Sequence, residues 1–242
     1  MDPEYNSRSL PPYITALQSS GATPVVISVH ESQDGVAKLL SSCQGVLLPG
    51  SRFDVDPERF GEVRIPQCGP ADPERTAVDE LLLQDAFNLR KPVLAICHGL
   101  QTLNVWLNGT LVQDLDTVLK TPVNHSPGRS VIEAHAVRIE ESSLLGRLAS
   151  HAHSGRLELV NSSHHQAIAR LGDRLKPTAV SPDDQVVEAV ELESVDHFVL
   201  GVQWHPERTF AEKPLSRAIF FSLVRASEAW KPVSETAAVS RQ

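Results

Sequence analysis

Three short segments of this chain are apolar at nearly every position, not at every second position. They span residues 45–48, 92–97 and 198–202, and each leads into a turn or a helical pattern. A strand that is apolar on both faces is covered on both faces, which is typical of a parallel sheet packed between helices. The sequence therefore predicts an α/β fold with a doubly wound, mostly parallel sheet.

Local start and stop signals indicate the neighbouring elements. Asp72 followed by Pro73 predicts a helix start, and apolar residues recur at helical spacing from Val78 until Pro92 ends the helix. The later strands are expected to add antiparallel or edge strands to the same sheet. The other predicted elements are strands at residues 24–29, 134–139, 156–160 and 186–192, and helices at residues 98–107 and 215–224.

The start of the chain lacks the strand with which a doubly wound domain usually opens. Residues 1–9 are polar, and the first periodic element is a helix around Tyr13 that ends at Gly21. Neither a linker nor an internal repeat divides the sequence. We expect one domain over residues 1–228 and a disordered tail over residues 229–242.

The charge balance and the apolar runs argue against two classes of partner. The 242 residues carry 22 Lys and Arg against 30 Asp and Glu, and the net charge of -8 repels phosphate backbones. The apolar runs are shorter than the roughly 18 residues of a membrane helix, and we find no signal sequence. Cys43, Cys68 and Cys97 have no CxxC spacing, so we expect no disulfide framework. We therefore expect a soluble cytoplasmic protein that binds neither nucleic acid nor membranes.

Cys97 lies between a predicted strand and a predicted helix with no other residue in the turn. This arrangement parallels the nucleophile elbow, in which small residues two positions before and after the nucleophile relieve crowding. Ala95 and Gly99 have those positions here. The positive end of the helix favours a reactive thiolate, whereas the alternative is a buried structural cysteine.

A cysteine nucleophile needs a base and a group that orients the base. His205 follows the apolar run 198–204, and Glu207 lies two residues further on, across Pro206. The carboxyl ends of parallel strands share one edge of a sheet, so neighbouring strands would bring His205 beside Cys97. At the same edge, the turn at Gly50 and the first N–H of the helix, that of His98, are candidate donors of an oxyanion hole.

Four spaced motifs resemble the class I glutamine amidotransferase superfamily, and more narrowly its gamma-glutamyl-gamma-aminobutyrate hydrolase-like peptidases. The motifs lie at residues 92–101, 109–114, 161–166 and 201–207, in the order of that family. The resemblance implies a flavodoxin-like sheet of the class I glutamine amidotransferase type. It also implies that the first strand of the family is missing here.

The same resemblance implies a role for each matching residue. Cys97, His205 and Glu207 would form the catalytic triad, with Gly50 and His98 as oxyanion donors. The residues expected to bind the substrate are Gln101, Ser163, His164 and His165. We expect a small γ-glutamyl substrate as partner and no cofactor, and a homodimer is one possible assembly.

Other groups of polar residues receive simpler interpretations. The histidines at positions 125, 135, 151, 153, 164 and 165 suggest a zinc cluster, but the 151 and 153 pair lacks carboxylates and the 164 and 165 pair already belongs to the hydrolase pocket. We therefore expect no metal. Asp54 and Asp56 are interpreted as turn and cap residues. Glu188 and Glu191 are expected on a solvated strand face, although the resemblance brings Glu188 closer to the pocket.

The predicted function is a cysteine-dependent hydrolysis of γ-glutamyl amide bonds through a thioester on Cys97. Two alternatives remain open from the sequence. One is a glutaminase subunit that supplies ammonia to a synthase, and the other is a catalytically silent binding protein on the same fold.

Overall fold

A nine-stranded mixed sheet forms the centre of the computed structural model, which describes residues 3–152 and 156–232. Seven strands form a continuous path in the order β1-β2-β9-β8-β7-β4-β5, while β6 pairs with both β3 and β8. The strands are β1 (Val46–Leu48), β2 (Val93–Ile96), β3 (Thr110–Val112), β4 (His135–Ile139), β5 (Leu157–Val160), β6 (Ala167–Arg170), β7 (Leu175–Val180), β8 (Val187–Leu192) and β9 (Val199–Val202).

The sheet confirms the predicted α/β class, but its parallel part is smaller than predicted. Among the described strands, β1 pairs with β2 and β2 with β9 in parallel, while the other pairings are antiparallel. The strands that end at the predicted site, β1, β2 and β9, are largely buried on both faces, which explains their consecutive apolar residues. In β2, Leu94 and Ile96 contact one core and Val93 and Ala95 the other, and all four are fully buried.

Six α-helices cover the sheet in the described part of the chain. The predicted helix at Asp72 is confirmed, because the Asp72 carboxylate accepts a hydrogen bond from Arg75 N at 3.0 Å and caps the helix. Each described helix is too short or too polar to cross a membrane. The helices are α1 (Pro3–Ser19), α2 (Gln33–Ser41), α3 (Pro73–Leu89), α4 (His98–Trp106), α5 (Leu144–His151) and α6 (Pro214–Ala229).

The predicted strand at residues 24–29 is wrong, because residues 22–28 have no regular secondary structure. Among the described residues, β1 is the edge strand of the sheet, with β2 as its one strand neighbour. A cavity of about 890 Å³ lies between the free edge of β1 and residues 22–28. Val25 and Val26 line that cavity and are 45% and 54% exposed. A β-branched run becomes a strand only where a neighbour supplies hydrogen bonds, and none does so here.

The predicted tail at residues 229–242 falls partly on described residues. Ala229 ends α6, and the Trp230 indole N–H donates to Leu89 O at 2.9 Å. Trp230 is therefore held against the C-terminal end of α3, whereas residues 233–242 lie outside the described residues.

Candidate active site

Cys97 adopts a backbone conformation that L-residues rarely adopt. Its φ of 53° and ψ of -108° lie between β2 and the first residue of α4, and its N–H donates to Val202 O at 2.8 Å. A strained residue of this kind persists only where its surroundings impose it, and such residues concentrate at active sites. The predicted elbow at Cys97 is therefore present in the fold.

Close packing beneath the elbow explains the small residues beside Cys97. A Cβ added to Gly99 would lie 2.3 Å from Leu48 O, the last residue of β1. Ala95 is fully buried between β1 and β9. Larger side chains would push α4 away from the sheet, so the strand-to-helix turn needs both residues.

His205 reaches the same sheet edge as Cys97 because β9 is the direct neighbour of β2. Ile96 pairs with Val202, so the segments that follow β2 and β9 leave the sheet side by side. The Nδ1 atom of His205 lies 2.8 Å from Glu207 Oε1. With Nδ1 held by Glu207, Nε2 is the nitrogen available to the thiol.

Asn161 fixes the backbone of His205, a contact that the sequence analysis did not predict. Its Oδ1 accepts the His205 N–H at 2.9 Å and its Nδ2 donates to His205 O at 2.8 Å. Asn161 is the first residue of the motif at residues 161–166, so this motif is the sequence signal that could have pointed to it. The amide clamp holds His205 in place where regular secondary structure has ended.

The charge state of His205 suits a partner for a cysteine. Burial acts to lower the pKa of His205, but the charges of Glu207 and Cys97 raise it to about 9. Burial and the charge of Arg75 lower the pKa of His98 to about 3, so the neighbouring ring stays neutral.

A cavity of about 290 Å³ lies over Cys97 and brings most of the predicted site residues together. Gly50 and Glu207 do not line it, since Glu207 lies behind His205 and Gly50 faces the larger cavity beside β1. The catalytic candidates converge on the smaller cavity, which identifies it as the candidate site. Its lining includes Cys97, His98, Gln101, Ser163, His164, His165 and His205, with Arg52, Arg129 and Arg208.

The Gly50 N–H does not face this cavity freely, because it donates to the Tyr13 hydroxyl at 3.0 Å. The same hydroxyl lies 3.5 Å from His205 Nδ1. Burial, followed by the charge of Glu207, raises the pKa of Tyr13, so the phenol stays protonated. The local sequence pattern identifies Tyr13 only as a helix position, since it does not connect α1 to this turn. A substrate oxygen would have to displace the hydroxyl to use the Gly50 donor.

Two predicted substrate residues already have protein partners. The Gln101 side chain donates to Gln166 O at 2.9 Å and to Gln203 Oε1 at 3.2 Å. His165 lies 2.9 Å from Asp54 and 3.1 Å from Asp114, and these contacts, led by the hydrogen bond to Asp54, raise its pKa to about 9. Both side chains therefore line the cavity and also connect the parts of the chain that form its wall.

The interpretation of the two aspartates near residue 55 is correct for one of them. Asp56 caps the short helix Pro57–Phe60 by accepting from Glu58 N at 3.3 Å. Asp54 also accepts from a backbone group, Gly69 N at 2.6 Å, but its second role is the contact with His165.

A second cluster of polar side chains lies behind the cavity wall. His125, His135, His164 and Glu188 are all buried, and their ligating atoms lie within 4.8 Å of one another. The motif at residues 161–166 indicates a pocket role for His164, and the fold also places its Nε2 in this cluster, 3.6 Å from Glu188 Oε1. The solvated face predicted for β8 is wrong, because β8 is covered on that side.

The two glutamates of β8 have separate buried partners. Burial acts to raise the pKa of Glu188, but its contacts with His125 and His164 lower it to about 2. Glu191 caps α5, accepting from the backbone N–H groups of Leu144 and Leu145 at 2.9 and 2.8 Å. Neither residue faces solvent, so both contribute to the interior of the sheet.

The overall fold of the chain is shared with a known class of proteins. The fold matches the Trypanosoma brucei CTPS glutaminase domain with bound acivicin at a TM-score of 0.58 and 17% identity, covering 92% of this chain and 89% of that chain. At this identity the likeness concerns the fold alone. The protein has the class I glutamine amidotransferase fold.

Sequence comparison narrows this class to a family. The model of the Peptidase C26 family matches residues 3–207. The chain is 33% identical to the protein NtpR of Enterococcus hirae over 210 residues, with 86% of this chain and 84% of NtpR covered. It is 32% identical over 229 residues to the gamma-glutamyl-gamma-aminobutyrate hydrolase PuuD of Escherichia coli (strain K12), covering 89% of this chain and 85% of PuuD. The chain belongs to the Peptidase C26 family, and the resemblance inferred from its motifs is confirmed.

Proposed function

We propose that this protein is a cysteine-dependent hydrolase of γ-glutamyl amide bonds. The observation that carries the proposal is the strained Cys97 in one cavity with a His205 that Glu207 orients at 2.8 Å. Membership of the Peptidase C26 family and the relatives named as gamma-glutamyl-gamma-aminobutyrate hydrolases support a γ-glutamyl hydrolase or amidotransferase-like function. Our proposal adds the mechanism and the residues.

The mechanism has two steps that share one histidine. The Cys97 thiolate attacks the γ-carbonyl carbon, and the protonated His205 donates its proton to the departing amine, which leaves a γ-glutamyl thioester. His205 then takes a proton from water, which attacks the thioester and releases glutamate and the thiol. The Glu207 carboxylate stabilises the imidazolium that is present before the first step and forms again in the second step.

Oxyanion stabilisation would come from backbone N–H groups at the elbow. The His98 N–H is the first of α4, where helix N–H groups have no partner within the helix. The Gly50 N–H would join it once the substrate oxygen displaces the Tyr13 hydroxyl. This displacement favours one alternative, a glutaminase subunit that becomes active only when a synthase rearranges the turn.

The charge of the cavity suits the α-carboxylate of a glutamyl group. Arg52, Arg129 and Arg208 contribute to its lining. Arg129 also donates to Ser9 Oγ of α1 at 3.1 Å, and Arg208 lies 3.6 Å from Glu207. Guanidinium groups bind carboxylates through paired N–H donors, so these side chains are the expected anchors.

Replacing the nucleophile tests the mechanism. We expect Cys97→Ala to lower the hydrolysis of γ-glutamyl-γ-aminobutyrate by more than about hundredfold, since removing a nucleophile typically costs several orders of magnitude. Cys43→Ala is the matched control, because Cys43 lies outside the cavity and donates to Leu39 O. Retention of more than about a hundredth of the rate by Cys97→Ala would rule out the covalent mechanism.

A comparison of substrates separates the hydrolase from its alternatives. In a stand-alone hydrolase, the extended amine supplies contacts that lower the transition-state energy. We therefore expect a higher kcat/KM for γ-glutamyl-γ-aminobutyrate than for glutamine. A preference for glutamine, or activity only after a synthase is added, would favour the glutaminase subunit, and inactivity on every γ-glutamyl amide would favour a binding protein.

A further inference from the structure

Three buried imidazoles converge on one buried carboxylate at the far side of the 163–166 segment. The contacts to Glu188 Oε1 are 3.3 Å from His125 Nδ1, 3.5 Å from His135 Nε2 and 3.6 Å from His164 Nε2. These three nitrogens and both Glu188 oxygens lack a hydrogen-bond partner in the described part of the chain. Orphaned buried polar atoms are rare and costly, so five in one cluster require an explanation.

Each ring has one inner nitrogen, which faces Glu188, and one outer nitrogen, which faces away from it. The contacts of the outer nitrogens show which nitrogen of each ring carries the proton. His125 Nε2 lies 2.8 Å from the Asp184 carboxylate, and His135 Nδ1 and His164 Nδ1 lie 3.1 and 2.9 Å from the carbonyl oxygens of Ala136 and Gln166. Carbonyls and carboxylates only accept hydrogen bonds, so each outer nitrogen must be the N–H donor. In the neutral imidazole the inner nitrogen is then a lone-pair acceptor.

The interior of the cluster therefore contains only acceptors when the rings are neutral. Three lone pairs and a carboxylate repel one another, and a shared cation between them removes that repulsion. The outer contacts are those of metal-binding histidines, whose second ring nitrogen is held by a carboxylate or a backbone carbonyl.

We propose that His125, His135, His164 and Glu188 bind one divalent cation of the zinc type. Imidazole nitrogens combined with one carboxylate are typical zinc ligands. With bonds of about 2.0–2.1 Å, the ligands of a tetrahedral zinc are roughly 3.3–3.4 Å apart. The three contacts to Glu188 are 3.3–3.6 Å long, within about 0.3 Å of this spacing, and the widest separation of 4.8 Å closes by a small inward movement of the rings.

The charges around the cluster also suit a divalent cation. Glu188 is the one carboxylate inside, and Asp184, which binds the outer nitrogen of His125, is the second. Two negative charges balance one divalent ion, whereas protonating all three imidazoles would place three positive charges within one buried cluster. A divalent cation therefore neutralises both carboxylates while the three imidazoles stay neutral.

The position of the site indicates a structural role. Four protein ligands close a tetrahedral site, which is the arrangement of structural zinc and not of a catalytic zinc with an open position. The ligands join β4 and β8 to two loops, and His164 also lines the cavity over Cys97. His125 O accepts the His164 N–H at 3.0 Å and the Ser162 hydroxyl at 2.6 Å. The cation would thus hold the segment that forms one wall of the active site.

Metal analysis of the full chain tests this inference. Protein expressed with zinc and dialysed against a metal-free buffer is measured by inductively coupled plasma mass spectrometry, and we expect about one zinc per chain. Glu188→Gln removes one anionic ligand with little change of shape, and we expect its zinc content to fall at least tenfold. Glu191→Gln is the matched control, since Glu191 is a buried glutamate on the same strand that caps α5, and it should retain the metal.

A titration with cobalt does not depend on a variant that folds. Co²⁺ added to chelator-treated wild-type protein should give the intense visible absorption of tetrahedral cobalt, saturating at one equivalent and lost on adding zinc. Hydrogen exchange of residues 162–166 should slow when zinc binds. A wild-type chain that takes up neither metal at micromolar concentration, or a Glu188→Gln chain that binds as well as the wild type, would overturn the proposal. These readouts do not depend on hydrolase activity.

Discussion

At the scale of single residues, the Glu207 carboxylate should determine the activity of His205. We expect Glu207→Gln to lower kcat for γ-glutamyl amide hydrolysis by about 10²- to 10⁴-fold with little change in KM, because the amide can no longer stabilise the imidazolium. The side chain keeps its size, so the fold should remain. Steady-state kinetics and thermal melting measure the two effects, and an unchanged rate with a lower Tm would make Glu207 a structural residue only.

Protonation of His205 also links stability to pH. Burial acts to lower its pKa, while Glu207 and Cys97 raise it to about 9, above the ordinary value of 6.5. A group with a raised pKa stabilises the fold fully below pH 6.5, and this contribution is lost as the pH rises through about 9. Between these values we expect the free energy of unfolding of the wild type to fall by on the order of 2–3 kcal/mol more than that of His205→Asn.

Urea unfolding of both proteins at several pH values checks this difference. The pKa of His165 is also raised to about 9, but its surroundings are the same in both proteins, so its contribution cancels. Parallel stability curves for wild type and His205→Asn would contradict the raised pKa of His205.

At the scale of elements, the close contact between β1 and the first turn of α4 should restrict the size of the side chain at position 99, beside the elbow. The Cβ of Gly99→Ala would lie 2.3 Å from the Leu48 carbonyl oxygen, a backbone atom that cannot turn aside. We expect this substitution to destabilise the protein by about 1–3 kcal/mol. It should also lower hydrolysis, because α4 carries Cys97 and the His98 N–H.

A glycine in the first turn of another helix is the matched control for Gly99. The Cβ of Gly35→Ala would meet only the exposed side chain of Glu31, which can rotate away. Alanine is the better helix former, so stability should rise slightly or stay unchanged. Chemical unfolding of both variants distinguishes packing from propensity, and equal effects would show that the contact with Leu48 is unimportant.

At the scale of the whole molecule, Lys91 joins parts of the chain that are distant in sequence. It is 1% exposed, and its Nζ lies 2.7 Å from Leu40 O of α2 and 2.7 Å from Asp85 of α3. The ammonium also lies 5.5 Å from the centre of the Trp230 ring, after α6. We expect Lys91→Met to cost about 2–3 kcal/mol, because the stem is preserved while both partners lose their donor.

The activity of the Lys91→Met protein at 25 °C should remain, since Lys91 does not line the cavity over Cys97. Lys38→Met, an exposed lysine on α2, should change stability by less than about 0.5 kcal/mol. Calorimetric melting of the two variants gives the comparison, and an equal loss would mean that the ammonium group at Lys91 contributes nothing specific.

The sequence by itself determined what depends on neighbours along the chain. The cap at Asp72, the fully buried β2, the elbow at Cys97 and the pair of His205 and Glu207 all follow from residues within a few positions. Capping, periodicity and a two-residue spacing are local properties, which is why the elements, the family and the candidate nucleophile were predictable.

Only the tertiary structure decided which distant residues meet. The segment at 22–28 is not a strand because no neighbour pairs with it, and the Tyr13 hydroxyl accepts from Gly50 because α1 packs over that turn. Likewise His125 and His164 meet Glu188 because β8 and two loops converge behind the cavity wall. Hydrogen-bond pairing and burial of charge depend on groups that are tens of residues apart in the sequence. A local sequence pattern does not specify which of these distant groups become neighbours in the fold.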